Sequence, residues 1–134
     1  MIDNSKSSIG SIGEDICVQF LRKIDYSILA RNYRKPWGEI DIIAKSPDNI
    51  IVCIEVKTLK SNNGFGLTPE DNLSQSKLKK LRKISESFAM QNDHLFHGDK
   101  GWRIDLVAIT LPESLDNLTI NNKDVIIKHY KNIA

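Results

Sequence analysis

Gly38-Glu39-Ile40-Asp41-Ile42-Ile43, followed by Ile50-Ile51-Val52-Cys53-Ile54-Glu55-Val56-Lys57, is the stretch on which the fold of this chain turns. β-Branched residues dominate both halves, and Ser46-Pro47-Asp48-Asn49 between them has the composition of a turn. Two strands joined in a hairpin are expected. Successive side chains of a strand point to opposite faces. Glu39, Asp41 and Ile43 should therefore share one face of the first strand, and Cys53, Glu55 and Lys57 one face of the second. Folding back at the turn brings Asp41 opposite Ile54 or Glu55, depending on how many residues the turn uses. Two carboxylates and an ammonium then meet on one patch of sheet.

Such a patch needs a physical cause. Like charges facing each other across strands destabilise the pairing, and adjacent carboxylates resist ionising together. A divalent cation removes the conflict. Mg²⁺ and Mn²⁺ prefer oxygen ligands, and Mg²⁺ commonly takes only one or two carboxylates, keeping water and phosphate as its other ligands. Lys57, two residues beyond Glu55, would reach the same phosphate or the attacking water. This is the pattern of metal-assisted phosphodiester hydrolysis. A plainer reading stands beside it, because Glu-x-Lys in a strand usually marks a solvated face with a cross-strand ion pair. Asp41 on the neighbouring strand, with a strongly apolar opposite face, moves the balance toward a site.

Composition bounds the remaining choices. A chain of 134 residues, 40% of them hydrophobic, makes a single domain over residues 1–134 with a real core. A net charge of +2 is too small to announce nucleic acid, so any basic surface must be local. Cys17 and Cys53 form no CxxC and have no histidine at zinc spacing, so both read as small buried apolar residues in a reducing compartment. Met1-Ile2-Asp3-Asn4-Ser5 lacks the charged and apolar regions of a signal peptide, and no apolar run reaches membrane-spanning length. A cytoplasmic protein without membrane contact is expected.

Outward from the hairpin, residues 1–8 are polar and expected to be disordered. Ile9, Ile12, Ile16, Phe20 and Ile24, with Cys17 and Leu21, form one helical stripe. Gly10 and Gly13 weaken that helix unless something must come close, either a phosphate backbone or the sheet. Glu14 is balanced between an acid favoured by the helix dipole and a third carboxylate leaning over the sheet. Residues 27–33 read as a strand, and Arg31, Arg34 and Lys35 cluster before Pro36-Trp37-Gly38. A basic run beside an aromatic suits a nucleic-acid backbone, although plain surface is the commoner explanation.

Residues 58–72, broken by Gly64, Gly66 and Pro69, read as a long mobile loop. A second helix starts at Thr68-Pro69 or at Ser74, buries Leu78, Leu81, Ile84 and Phe88, and exposes Lys77, Lys79, Lys80, Arg82 and Lys83. A solvated face is the default for such charges. The scarcity of acids before Glu86 favours phosphate contact slightly. Residues 91–101 read as loop, with no helix to align His94 and His97 for metal. Residues 102–109 form a strand with Arg103 and Asp105 on one face, either a buried ion pair bracing the site or an edge-strand pair. Residues 112–122 are loop and residues 125–130 a closing strand. The order of elements gives an α/β domain with a mixed sheet and helices on its faces.

Taken together, Gly10-x-x-Gly13-Glu14, Gly38-Glu39-Ile40-Asp41, Ile54-Glu55-Val56-Lys57, Lys77, Arg103-x-Asp105 and His129-x-x-Asn132 resemble the YraN-like family of the PD-(D/E)XK nuclease superfamily. That family is similar to archaeal Holliday-junction resolvases. The resemblance implies a restriction-endonuclease-like core, a central mixed β-sheet of about five strands flanked by helices. Asp41 and Glu55 would be metal ligands with the backbone carbonyl of Val56. Lys57 would be the catalytic lysine, Glu14 the helical acid of resolvase-like members, and Lys77 part of the active-site rim. Ile40 stands where the superfamily's nominal pattern has proline, a small chemical change because the aspartate supplies the ligand.

The function expected is that of a Mg²⁺- or Mn²⁺-dependent endodeoxyribonuclease. Catalysis would rest on Asp41, Glu55, Lys57 and Glu14, and nucleic-acid contacts on Lys77, Lys79, Lys80, Arg82, Lys83 and Arg34. Glu39, Arg103 and Asp105 would give support. Branched DNA and a homodimer are carried over from the resolvases. The alternative is a nucleic-acid-binding or adaptor protein that keeps the nuclease fold with weak turnover or none.

Overall fold

Near-continuous β-branched runs such as Ile50-Ile51-Val52-Cys53-Ile54 belong to strands covered on both faces. The computed structural model, which describes residues 5–61, 73–95 and 101–134, places this run in that setting. Helix α1 (Ser5–Lys23) is followed by strands β1 (Ser27–Lys35), β2 (Gly38–Lys45) and β3 (Ile51–Lys60). Helix α2 (Gln75–Gln91), a short 3-10 turn (Asp93–Leu95), β4 (Trp102–Leu111) and β5 (Ile126–Tyr130) complete the chain. The five strands form one sheet in sequence order, with β3 and β4 parallel and every other neighbouring pair antiparallel. This is the mixed α/β sheet expected of a restriction-endonuclease-like core. The parallel pair requires a crossover, which α2 supplies.

Alternation along β3 divides the core in two. Val52 and Ile54 face α1, where they pack with Ile16, Cys17, Leu21, Ile42, Ala44, Val107 and Ile109. Ile51 and Cys53 face α2, with Leu81, Ile84, Phe88, Ile43 and Ile104. Burying one such Ile or Leu completely contributes about 1.5–3 kcal/mol. The first half of β3 is buried on both faces, and the chemistry-bearing residues follow immediately after its apolar run.

The hairpin turn behaves as its composition demands. Asn49 adopts a left-handed φ of 66°, and the Ser46 hydroxyl accepts a hydrogen bond from the Ile50 N–H at 3.1 Å. Helix α1 stops the same way: Asp25 has φ 66°, and the Tyr26 N–H bonds back to the Leu21 carbonyl. Ser74 caps α2, its hydroxyl accepting from the Lys77 N–H, which selects the later of the two expected starts; Thr68 and Pro69 lie outside the described residues.

Several boundaries differ from the sequence reading. Helix α1 is already formed at Ser5, inside the segment expected to be disordered. Thr58, Leu59 and Lys60 continue β3 instead of opening the loop, because they pair with Ile109, Thr110 and Leu111 of β4. The rest of that loop, residues 62–72, lies outside the described residues, as does His97. Strand β1 extends to Lys35 through its pairing with Gly38. Leu78 is only half-buried, and Ser85 joins Leu81, Ile84 and Phe88 on the buried stripe of α2. Among the described residues no helix is long and apolar enough to cross a membrane.

Candidate active site

The ladder between β2 and β3 runs from Lys45↔Ile51 to Ile42↔Ile54. Continued by one pair, that register sets Asp41 against Glu55, the second of the two registers the turn allowed. There the strands part. The N–H of Val56, which a ladder carbonyl would otherwise satisfy, donates instead to Asp41 Oδ2 at 2.8 Å. A carboxylate at the fork is thus fixed by the backbone of the neighbouring strand.

Glu55 and Lys57 have the same parity as Cys53 and project on the α2 side of β3. Lys57 Nζ lies 3.2 Å from Glu55 Oε1, with the two side chains 23% and 18% exposed. A pair this sheltered is unlike a freely solvated Glu-x-Lys, and the remaining exposure faces a cleft. Gly38, Glu39, Glu55, Lys57, Leu73, Lys77, Lys80 and Leu81 line that cleft, which holds about 250 Å³. The Cβ of a larger residue at Gly38 would sit 3.5 Å from the Ile84 side chain, so the start of β2 runs close against α2. Five cleft residues expected from sequence are therefore brought together here: Glu39, Glu55, Lys57, Lys77 and Lys80.

Electrostatics extend the group. Burial, then the charge of Glu55, push the Asp41 carboxyl from 3.8 up to about 7; Glu14 and Glu39 push the same way, and only the Val56 N–H opposes them. Glu14 is itself raised, mainly by burial, against the pull of Arg31. Its carboxylate lies 3.9 Å from Arg31 Nη2, which also binds Asp15 at 2.9 Å. Arg34 pairs with Glu39 at 3.4 Å, the two residues facing each other across the β1–β2 ladder. So Arg34, expected to contact nucleic acid, is engaged by an acid of the site. Of the two glycines ahead of Glu14, Gly13 makes room for the sheet, since a Cβ there would run into the Thr58 side chain; among the described residues nothing lies close to Gly10.

This surplus of negative charge around a buried carboxyl fits a divalent cation. Asp41 and Glu55 are hard oxygen donors, and each would be relieved of the other's repulsion by a cation between them. Among the described residues no three His, Cys, Asp or Glu side chains form a ready-made cage. The set matches an ion that keeps several waters and substrate oxygens, as Mg²⁺ does, better than one enclosed by protein.

Behind the site, on the α1 face, Asp105 is wholly buried. It accepts from Arg103 Nε at 3.0 Å and from the Asn132 N–H at 2.9 Å, and its Oδ2 lies 2.8 Å from His129 Nε2. Arg103 also donates to the Tyr26 hydroxyl at 2.9 Å. Burial alone would raise the Asp105 carboxyl, but these bonds outweigh it and hold it below the ordinary carboxylate range. The Arg103–Asp105 pair is therefore the buried one of the two alternatives. Asp105 is in register with Ile54, so the network ties the end of α1, β5 and the C-terminal segment to the strand next to Glu55. Tyr26 had no signal in the sequence; His129 and Asn132 stood there only within the family pattern, and the fold brings both onto Asp105. Lys79 and Arg82 are exposed on α2 and do not line the cleft.

The sequence profile of the family described as "Uncharacterised protein family UPF0102" matches residues 13–109, which include the fork and the cleft. A UPF0102 protein of Chloroherpeton thalassium is 42% identical over 114 residues, covering 85% of this chain and 84% of its own. Similar proteins from Dictyoglomus thermophilum and Caldicellulosiruptor saccharolyticus are 37% and 36% identical, over 82% and 87% of this chain and 88% and 94% of theirs.

Proposed function

The chain belongs to the uncharacterised protein family UPF0102, the YraN family of the PD-(D/E)XK superfamily, and from that premise we propose that it is a Mg²⁺- or Mn²⁺-dependent DNA endonuclease. The observation that carries the reading is the fork: Asp41 anchored on the Val56 N–H, beside Glu55 with Lys57 at 3.2 Å. Asp41, Glu55 and the Val56 carbonyl would hold the ion. When bound, it supplies Lewis acidity, acidifying a water and neutralising charge that grows on the phosphoryl oxygens.

The protein's own groups do the rest. The Lys57 ammonium, steadied by Glu55, orients the attacking water or donates to a non-bridging phosphate oxygen. Lys77 and Lys80 on the opposite wall hold the flanking backbone by charge. Glu14 and Glu39 keep the local field negative, so an ion bound at Asp41 meets a favourable potential. In-line attack breaks the P–O3′ bond and leaves 5′-phosphate and 3′-hydroxyl ends. Branched DNA is the substrate class the resemblance to resolvases suggests, and cutting both arms of a junction would require a homodimer.

Incubation with duplex, flap and four-way DNA in Mg²⁺ or Mn²⁺ tests this. Cleavage that Asp41→Ala and Lys57→Ala each abolish supports the enzyme. Metal-independent binding without cleavage, weakened by charge reversal on α2, identifies the adaptor instead.

A further inference from the structure

We propose that Trp37 is a stacking platform for an unpaired nucleobase, so that the strand entering the cleft carries a single-stranded or splayed nucleotide next to the phosphate held by Lys57, Lys77 and Lys80. The inference rests on the reading of the cleft as a nucleic-acid site and adds the substrate class.

The position of Trp37 is fixed by the backbone. Lys35 pairs with Gly38, so Pro36 and Trp37 alone connect β1 to β2. Gly38 is the first residue of the cleft wall and lies beside Ile84 of α2. Trp37 therefore stands on a two-residue turn beside the first residue of the cleft wall. Its side chain remains 45% exposed. An isolated exposed aromatic is ordinary. Here the surroundings are not ordinary, because cations are arrayed on the aromatic faces. Lys83 Nζ lies 5.9 Å from the Trp37 ring centroid, and Lys35 Nζ lies 5.5 Å from that of Tyr33. Tyr33 is held in turn by an edge-on contact with Phe88, centroids 5.2 Å apart.

Lys77, Lys80 and Lys83 recur at three-residue intervals on α2, so the basic edge of the helix leads from the cleft directly to the indole. Aromatic faces interleaved with lysines beside a phosphate-sized cleft are what a single strand requires: cations track the backbone, and a ring takes the base. An intact duplex cannot use the ring, since both faces of each paired base are already covered by neighbours in the stack. A flap, a gap or a splayed junction arm offers a free base face.

The test is binding, measured without turnover. Fluorescence anisotropy in EDTA would compare fluorescein-labelled dT12 with a 12-base-pair duplex for wild type, Trp37→Ala and Trp37→Phe, each checked for an unchanged urea midpoint. Trp37→Ala is expected to weaken dT12 binding about tenfold and duplex binding less than twofold, with Trp37→Phe close to wild type. Indole emission should fall when unlabelled dT12 is added to wild type, and this quenching should be absent in Trp37→Phe, in which Trp102 remains. Unchanged dT12 affinity in Trp37→Ala, or equal losses on both DNAs, overturns the proposal. The nuclease reading is judged separately by Mg²⁺-dependent cleavage, which a failed stacking test would leave intact.

Discussion

Replacing Asp41 by Asn removes one charge from the fork while keeping an oxygen that can accept the Val56 N–H bond. In the metal-free protein, burial and Glu55 raise this carboxyl from 3.8 to about 7. An acid raised by folding binds its proton more tightly in the native state than in the unfolded one. Stability therefore falls as pH rises between those two values, and the whole cost is present above pH 7. A displacement of about three pH units at ~1.4 kcal/mol each sets a ceiling of about 4 kcal/mol. The favourable Val56 bond is already contained in that net shift; leaving the buried Asn amide N–H groups without partners costs about 1–3 kcal/mol, so Asp41→Asn should stabilise by about 1–3 kcal/mol at pH 8. For a chain of this length that is roughly 3–10 °C in Tm. Thermal unfolding in EDTA from pH 8 down to pH 4 measures it, and the advantage should shrink to nothing at the acid end. Added Mg²⁺ should raise the Tm of wild type and leave the variant unmoved. A variant no more stable than wild type at pH 8, with the same pH profile, would refute the reasoning.

Other outcomes follow from the same geometry. Lys57→Ala should lower Mg²⁺-dependent cleavage by about 10²–10³-fold and DNA affinity by a much smaller factor, as read by single-turnover kinetics and anisotropy. Asp105→Asn leaves Arg103 buried beside a neutral partner and should cost about 3 kcal/mol or more in urea unfolding at pH 7. Because folding lowers the Asp105 pKa, its contribution is complete above 3.8 and disappears as pH drops below that value, so the penalty should fade there. Gly13→Ala should destabilise by about 1–3 kcal/mol through its clash with Thr58, and Thr58→Ala in the same chain should recover part of the loss. Lys77→Glu and Lys80→Glu should each weaken DNA binding and reduce the salt slope by about one.

The hairpin was legible in the sequence because two independent signals agreed: β-branched runs and turn residues. Residue spacing left the register open between two values, and the turn closed by Ser46 and Asn49 selects one. The end of β3 was not legible. Thr58 and Lys60 are polar enough to suggest a loop, and the parallel pairing with β4 that keeps them extended is a long-range effect. Glu14 stayed ambiguous because its sequence neighbours explain it equally well as a helix acid; only the fold brings it within reach of Asp41 and Arg31. Arg34 shows the converse. A basic cluster read as phosphate-binding is partly committed to Glu39 across a strand pair.

Metal-dependent cleavage by this protein requires Asp41 and Glu55 to share one divalent ion within reach of Lys57. A crystal soaked in Mn²⁺, with data collected for the anomalous signal of manganese, tests that most directly. The expected peak lies between the two carboxylates beside the Val56 carbonyl and vanishes in Asp41→Ala. A peak elsewhere on the molecule, or one at the fork that survives Asp41→Ala at full height, would contradict it.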